Sequence, residues 1–79
     1  MGQAENDWHE GITIDPGIQG GRPVVKGTRM PVETIIGSLA GGMSMKEVCE
    51  QYRLTVEQVR AALAYAAHSV ATEHVMVVG

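Results

Sequence analysis

The sequence is poor in the side chains that build large cores, with no Phe, one Trp and two Tyr among 79 residues. Ala and Val are common among its hydrophobic residues, and each buries little area. A chain of this length buries only about 60–65% of the surface that its unfolded form exposes. We therefore expect one domain with a thin core, for which self-association or a partner would supply further stability.

Cysteine is almost absent, since Cys49 is the only one in the sequence. A lone cysteine excludes an intramolecular disulfide and a structural zinc set. No run approaches the roughly 18 apolar residues of a membrane span, and the first residues carry acids where a signal peptide needs cations. These absences predict a cytoplasmic protein that contacts no membrane.

Catalytic groupings are missing as well. His9, His68 and His74 are scattered and lack the short spacing of a metal site. Cys49 falls on the apolar face of a predicted helix, where a small core residue is a better interpretation than a nucleophile. We expect no enzyme, no metal, no cofactor and no small-molecule substrate, because so small a fold lacks the concave pocket that most enzymes use.

Charge is unevenly distributed along the chain. The net charge of -3 opposes indiscriminate binding of nucleic acid. Residues 1–15 carry four acids and no Lys or Arg, whereas residues 16–32 carry no acid and three cations, namely Arg22, Lys26 and Arg29. This asymmetry indicates directed binding or head-to-tail pairing.

The N-terminal part of the chain predicts a β-hairpin arm over residues 11–30. Residues 11–15 alternate as a half-buried strand does, with Ile12 and Ile14 on one face. Pro23 and the two valines after it favour a second strand. Glycine-rich turns would join and follow these strands, and they lack the spacing of a phosphate-binding loop. The predicted structural turn residues are Gly20, Gly21, Gly27, Thr28 and Pro31.

Three helices are predicted after the arm. Pro31 suits the first turn of a helix, because its missing N–H would be unpaired there, and the glycines at 41–42 end that helix. Ser44–Glu47 and Thr55–Gln58 have capping-box spacing and start two more helices. The predicted helices cover about 31–41, 45–52 and 55–69.

A short helix, a tight connection and a longer helix form a helix-turn-helix. The predicted fold class is therefore mainly α: a three-helix, homeodomain-like bundle with an N-terminal β-hairpin arm. A flexible leader at 1–10 would precede the single domain at 11–70, and a tail at 71–79 would follow it, with a strand-like run at 75–78. The predicted core face of the third helix consists of Val56, Val59, Leu63, Ala66, Ala67 and Val70.

One string in the chain carries a family resemblance. Residues 20–32 spell Gly-Gly-x-Pro-x-x-x-Gly-Thr-Arg-x-Pro-Val, and with residues 14–17, 42–44 and 61–66 they resemble domain-of-unknown-function family 433 over roughly residues 12–68. The resemblance implies a homeodomain-like fold and the role of an antitoxin, often beside a PIN-like nuclease toxin. The chain departs from the family at Tyr52-Arg53, where Tyr-Pro is frequent, and after Ser69, where no family pattern matches.

The first candidate site is the set of arm cations, which would contact phosphates or an acidic partner surface. Alternatively, Arg22 and Arg29 pair with Asp15, Glu33 or the acidic leader and hold the arm in place. We expect Arg29, at the junction of arm and helix, to lock the arm to the first helix, because its planar guanidinium bridges several acceptors. Arg22 and Lys26 would then point outward.

The second candidate site is the outward face of the third helix. As a DNA-reading helix it offers only Gln58 and Arg60 for base contacts, with Glu57 as a repulsive charge at the entering end. Its small residues and Tyr65 suit another protein's helix or a homodimer contact. The members of this face are Gln58, Arg60, Ala61, Ala64, Tyr65 and His68.

These observations predict an antitoxin-like binding protein that forms a homodimer and neutralises a cognate toxin, with DNA as a further partner if it regulates its own operon. The alternatives are a DNA-binding transcriptional regulator without a toxin and a homodimeric interaction module without catalytic function.

Overall fold

The computed structural model describes the backbone of residues 8–78 and the side chains of residues 8–71. The predicted leader therefore lies outside the described residues over positions 1–7. A two-stranded antiparallel sheet precedes three helices, as predicted. The elements are β1 (Ile12–Thr13), a 3-10 turn (Gln19–Gly21), β2 (Val24–Val25), α1 (Val32–Ala40), α2 (Met45–Tyr52) and α3 (Val56–Val78).

The β-arm is joined by backbone hydrogen bonds to the start of α1. Ile12 of β1 lies opposite Val25 of β2. On its other side β2 pairs with the segment before α1, since the Val25 N–H donates to the Met30 carbonyl at 3.0 Å and the Val32 N–H donates to the Pro23 carbonyl at 2.9 Å. Val24 and Val25 of β2 are fully buried, so the arm is part of the core rather than a loose extension.

The predicted first strand is shorter in the structure. It ends at Thr13, and Ile14 is 52% exposed instead of sharing the core face of Ile12. The chain turns immediately afterwards, because the Gly17 N–H donates to the Asp15 side chain at 2.8 Å. Asp15 thus closes a local turn and forms no ion pair with an arm cation within the described residues.

Glycines and capping residues define the ends of α1 and α2. Pro31 is the residue that precedes α1 rather than its first helical residue. After α1, Gly42 has a φ of +112°, a conformation that favours glycine. Ser44 and Glu47 form a complete capping box at the start of α2, because hydroxyl and carboxylate each accept the other residue's backbone N–H.

The third helix is longer than predicted. It continues to Val78, past the expected end at 69, so the strand-like interpretation of residues 75–78 is corrected to helix. The physical reason is that residues 56–78 contain neither Gly nor Pro and include several alanines, which favour helix.

The core lies where α1, α2, α3 and the arm meet, and the predicted core face of α3 is largely wrong. Among the α3 side chains that the structure describes, Val59 and Ala62 are fully buried, whereas Leu63 is 39% and Val70 is 63% exposed. The α3 sequence has apolar residues on most sides of the helix, so the packing of the arm and the other helices determines which face is buried. The core residues are Ile12, Val24, Val25, Val32, Ile35, Val48, Leu54, Val59 and Ala62.

Candidate interaction surfaces

A tight turn closed by a hydrogen bond from the Thr28 N–H to the Val25 carbonyl follows β2, and residues Lys26–Arg29 are here called the cationic turn. Gly27 has a φ of +81°, and the Thr28 hydroxyl donates to the Val25 carbonyl at 2.8 Å while accepting the Met30 N–H at 3.0 Å. Thr28 therefore stabilises the turn itself and does not cap α1.

The side chains of the cationic turn project from an immobilised backbone. The Lys26 N–H donates to the Gly11 carbonyl at 2.8 Å, and the Gln19 side-chain amide donates to the Arg29 carbonyl at 3.2 Å. Both cationic side chains are exposed, and neither forms an ion pair with a residue in the described part of the chain. The turn thus presents two charges that no described residue neutralises, on a backbone held by hydrogen bonds.

Arg22, rather than Arg29, links the arm to α1. Its Nη1 lies 2.7 Å from Oε2 of Glu33, so the expectation that Arg29 locks the arm and Arg22 points outward is corrected. The reason is the strand register, which places Pro23 beside Val32 and hence Arg22 beside the first turn of α1. Both side chains are more than half exposed, so the pair contributes at most about 1 kcal/mol to stability.

The N-terminal segment Trp8–Gly11 lies against the face of α3 that the sequence assigned to DNA or a partner. Trp8 packs edge-to-face on Tyr65, with ring centroids 4.7 Å apart, and lies 5.6 Å from the His68 ring. A Cβ on Gly11 would lie 2.6 Å from the Ala61 Cβ. Residues 8–10 are therefore not a free leader, and Ala61, Tyr65 and His68 already have an intramolecular neighbour.

The remainder of that predicted face offers little for DNA. Gln58 belongs to the second capping box, because its side-chain oxygen accepts the Thr55 N–H at 2.8 Å. Arg60 is exposed, but so is Glu57 one turn earlier. Ala64 is half-buried and lacks a polar group. A single available cation near an exposed acid is a poor arrangement for reading bases.

A shallow apolar groove runs between α1 and α3, here called the α1–α3 groove. It consists of two overlapping open depressions of about 560 and 690 Å³ that share Ile36, Ala66 and Val70. Arg22 and Glu33 line one end, and Leu63 lines the other. Sequence reasoning missed this surface because it assigned Leu63 and Val70 to the core. Their separation of seven residues, with Ala66 and Ala67 between them, is the signal that an apolar helix stripe was present.

The described residues form no other obvious chemical site. Within them no cluster of His, Cys, Asp or Glu could hold a metal ion. Cys49 is a half-buried free thiol packed against the core. Among the described helices, none combines the length and the apolar character needed to cross a membrane.

Comparison with known proteins agrees with this architecture. Residues 12–66 match the family described as "Protein of unknown function (DUF433)". The crystal structure of a DUF433 member from Anabaena variabilis ATCC 29413 superposes with a TM-score of 0.72 and 30% identity, covering 87% of this chain and 69% of that one. Rv2018 from Mycobacterium tuberculosis superposes with a TM-score of 0.62 and 30% identity, covering 71% and 27% of the respective chains.

A curated relative matches most of the length of this chain. The uncharacterized protein y4eO of Sinorhizobium fredii (strain NBRC 101917 / NGR234) is 43% identical over 56 residues, which is 70% of this chain. The chain spans only 25% of the length of that relative. On the extent of the family match, this chain belongs to the DUF433 family.

Proposed function

We propose that this protein is an antitoxin-like binding protein that neutralises a nuclease-type toxin by placing the cationic turn against an acidic surface of the toxin. The observation that carries the proposal is the pair Lys26 and Arg29, exposed and without an ion pair among the described residues. Because the turn backbone is hydrogen-bonded to Gly11 and Gln19, little conformational freedom is lost when a partner binds.

A nuclease is a suitable partner for such a turn on chemical grounds. Nucleases that use metal ions hold them with carboxylates, so their catalytic centre is strongly acidic. Lys and Arg on a fixed turn would complement that charge, and electrostatic complementarity raises both the association rate and the selectivity. The family resemblance supplies the same class of partner independently, since it implies an antitoxin beside a PIN-like nuclease.

DNA binding is the second candidate, because the same two cations would also suit phosphates. The structure gives it less support. The N-terminal segment occupies part of the α3 face, at Ala61 and Tyr65, and Glu57 lies in the first turn of α3. A homodimeric module that binds neither toxin nor DNA is the third candidate, and it predicts no effect of the cationic turn on any partner.

The test is inhibition of the nuclease encoded by the neighbouring gene. The purified nuclease is titrated with the wild-type protein and with the double variant Lys26→Glu/Arg29→Glu. The matched control is Lys46→Glu/Arg53→Glu, which makes the same change of net charge at two exposed cations outside both candidate sites. We expect the turn variant to bind at least about tenfold more weakly, because two favourable contacts become repulsive, and the control to lose less than about twofold.

Each outcome assigns a function. No complex and no inhibition with the wild-type protein would refute the antitoxin role, and equal losses in both variants would refute the role of the turn. Titration of a promoter fragment at two salt concentrations tests the alternative. If the wild-type protein binds the fragment but does not inhibit the nuclease, a transcriptional regulator is favoured. In that case the slope of log affinity against log salt should fall by the equivalent of about two phosphate contacts in the turn variant.

A further inference from the structure

The α1–α3 groove is an apolar surface that the proposed function leaves unused. Two of its aliphatic side chains, Leu63 and Val70, are 39% and 63% exposed, and Ala67 and Ala71 beside them are also exposed. The residues of the cationic turn do not line it. An apolar stripe of this kind on a helix that is already packed on its other side is typical of a protein–protein contact.

We propose that the α1–α3 groove is the surface on which two copies of this chain associate, with α3 of one copy lying along α3 of the other. A two-fold interface brings the same patch together from both subunits, so the patch must complement itself. The groove meets this condition. Its apolar centre carries no charge, and its charged lining residues are one cation and one anion, Arg22 and Glu33.

The charge of the groove also favours a second copy of this chain over an acidic partner or the N-terminal residues. A strongly acidic partner matches the cationic turn and gains nothing from a charge-balanced apolar groove. Residues 1–7 of the same chain are a poor alternative occupant, because they contain two acids and no Val, Ile, Leu or aromatic residue. A second copy supplies the required apolar helix face by symmetry.

The dimensions of the helices set the strength of the association. The α3 residues that line the groove run from Leu63 to Ala71, about 14 Å of a helix about 10 Å wide, and the α1 residues that line it run from Val32 to Gly37, about 9 Å. Contact along both stretches would cover about 230 Å² per subunit, or about 460 Å² in total, which is less than the roughly 1,000 Å² of a stable specific interface. We therefore expect a weak, reversible dimer with a dissociation constant on the order of 100 µM.

The experiment is sedimentation velocity from about 1 to about 500 µM, a range that brackets the expected affinity. Leu63→Glu and Val70→Glu place a charge in the groove, and Val56→Glu is the matched control. Val56 lies on the same helix and is 42% exposed, close to the 39% of Leu63, but it does not line the groove. Far-UV circular dichroism verifies that each variant keeps its helices.

The expected result is a concentration-dependent dimer for the wild-type protein and for Val56→Glu. In Leu63→Glu and Val70→Glu the dissociation constant should rise at least about tenfold, because each copy then carries an unpaired charge into the contact. Val70 is the more exposed of the two, so its variant keeps the test valid if Leu63→Glu loses stability. A wild-type protein that stays monomeric throughout, or equal weakening in Val56→Glu, would overturn the proposal.

Discussion

Gly11 lies close to Ala61 of α3, and an added methyl group at Gly11 tests that contact directly. In Gly11→Ala, the new Cβ would lie 2.6 Å from the Ala61 Cβ, whereas carbon atoms in favourable contact are about 3.5–4.0 Å apart. Gly11 does not have a positive φ, so its backbone would accept alanine. The effect of the substitution is therefore a packing effect.

The expected magnitude follows from two opposing terms. Overpacking at a site with a rigid neighbour costs about 1–3 kcal/mol. Replacing glycine also restricts the unfolded chain, which raises the free energy of unfolding by about 0.4–1 kcal/mol. The net free energy of unfolding should fall by about 1–2 kcal/mol, which lowers the melting temperature by roughly 5–15 °C in a domain of this size.

The assay is thermal and urea denaturation followed by circular dichroism. Gly37→Ala is the matched control, because Gly37 lies inside α1 and nothing lies within 4 Å of the Cβ it would gain. That variant should be more stable by about 0.8–1 kcal/mol from helix propensity alone. A Gly11→Ala protein that melts at or above the wild-type temperature would show that the arm does not pack closely on α3.

A double-mutant cycle separates the clash from other effects. Ala61→Gly removes the opposing methyl group but places glycine inside α3, which by itself costs about 1 kcal/mol. If the two methyl groups clash, Gly11→Ala should cost much less in the Ala61→Gly background, with a coupling free energy of about 0.5–3 kcal/mol. Simple additivity of the two single substitutions would contradict the contact.

Two further predictions concern α2. Arg53 ends this helix in a left-handed conformation with φ 58° and ψ 50°, so Arg53→Gly should raise the free energy of unfolding by about 1 kcal/mol in urea titrations. A decrease would contradict the argument that the left-handed backbone at Arg53 is strained. The Tyr52 hydroxyl is hydrogen-bonded to the Ser38 hydroxyl of α1 at 2.7 Å. Tyr52→Phe should therefore cost about 1 kcal/mol, and the loss should disappear in a Ser38→Ala background.

The features that sequence reasoning predicts well are those whose interactions stay within a few residues. The capping boxes at Ser44 and Thr55 close over a separation of three residues, so their spacing is sufficient to locate two helix starts. The conformation of Gly27 is likewise set by a turn that spans Val25 to Thr28. These local rules, together with the change from period two to helical period, are enough to predict the fold class.

The buried face of α3 could not be predicted in the same way. Apolar residues occupy most sides of this helix, so periodicity alone does not single out Val59 and Ala62 over Leu63 and Val70. The choice depends on contacts distant in sequence, such as that between Gly11 and Ala61. The same holds for the arm cations, since the register of β2 against the start of α1 decides that Arg22, and not Arg29, reaches Glu33.

Small side chains on α3 account for both candidate surfaces. The small side chain of Ala61 permits Gly11 of the arm to approach α3 closely. The Gly11 carbonyl in turn accepts the Lys26 N–H of the cationic turn. Because the arm packs on one side of α3, Leu63 and Val70 lie on another side, where α1 is the only described element beside them. Close packing of the arm therefore both holds the cationic turn in place and leaves the α1–α3 groove uncovered by the described residues. We predict that a weakened arm contact would impair binding of the proposed toxin before it impairs formation of the proposed dimer.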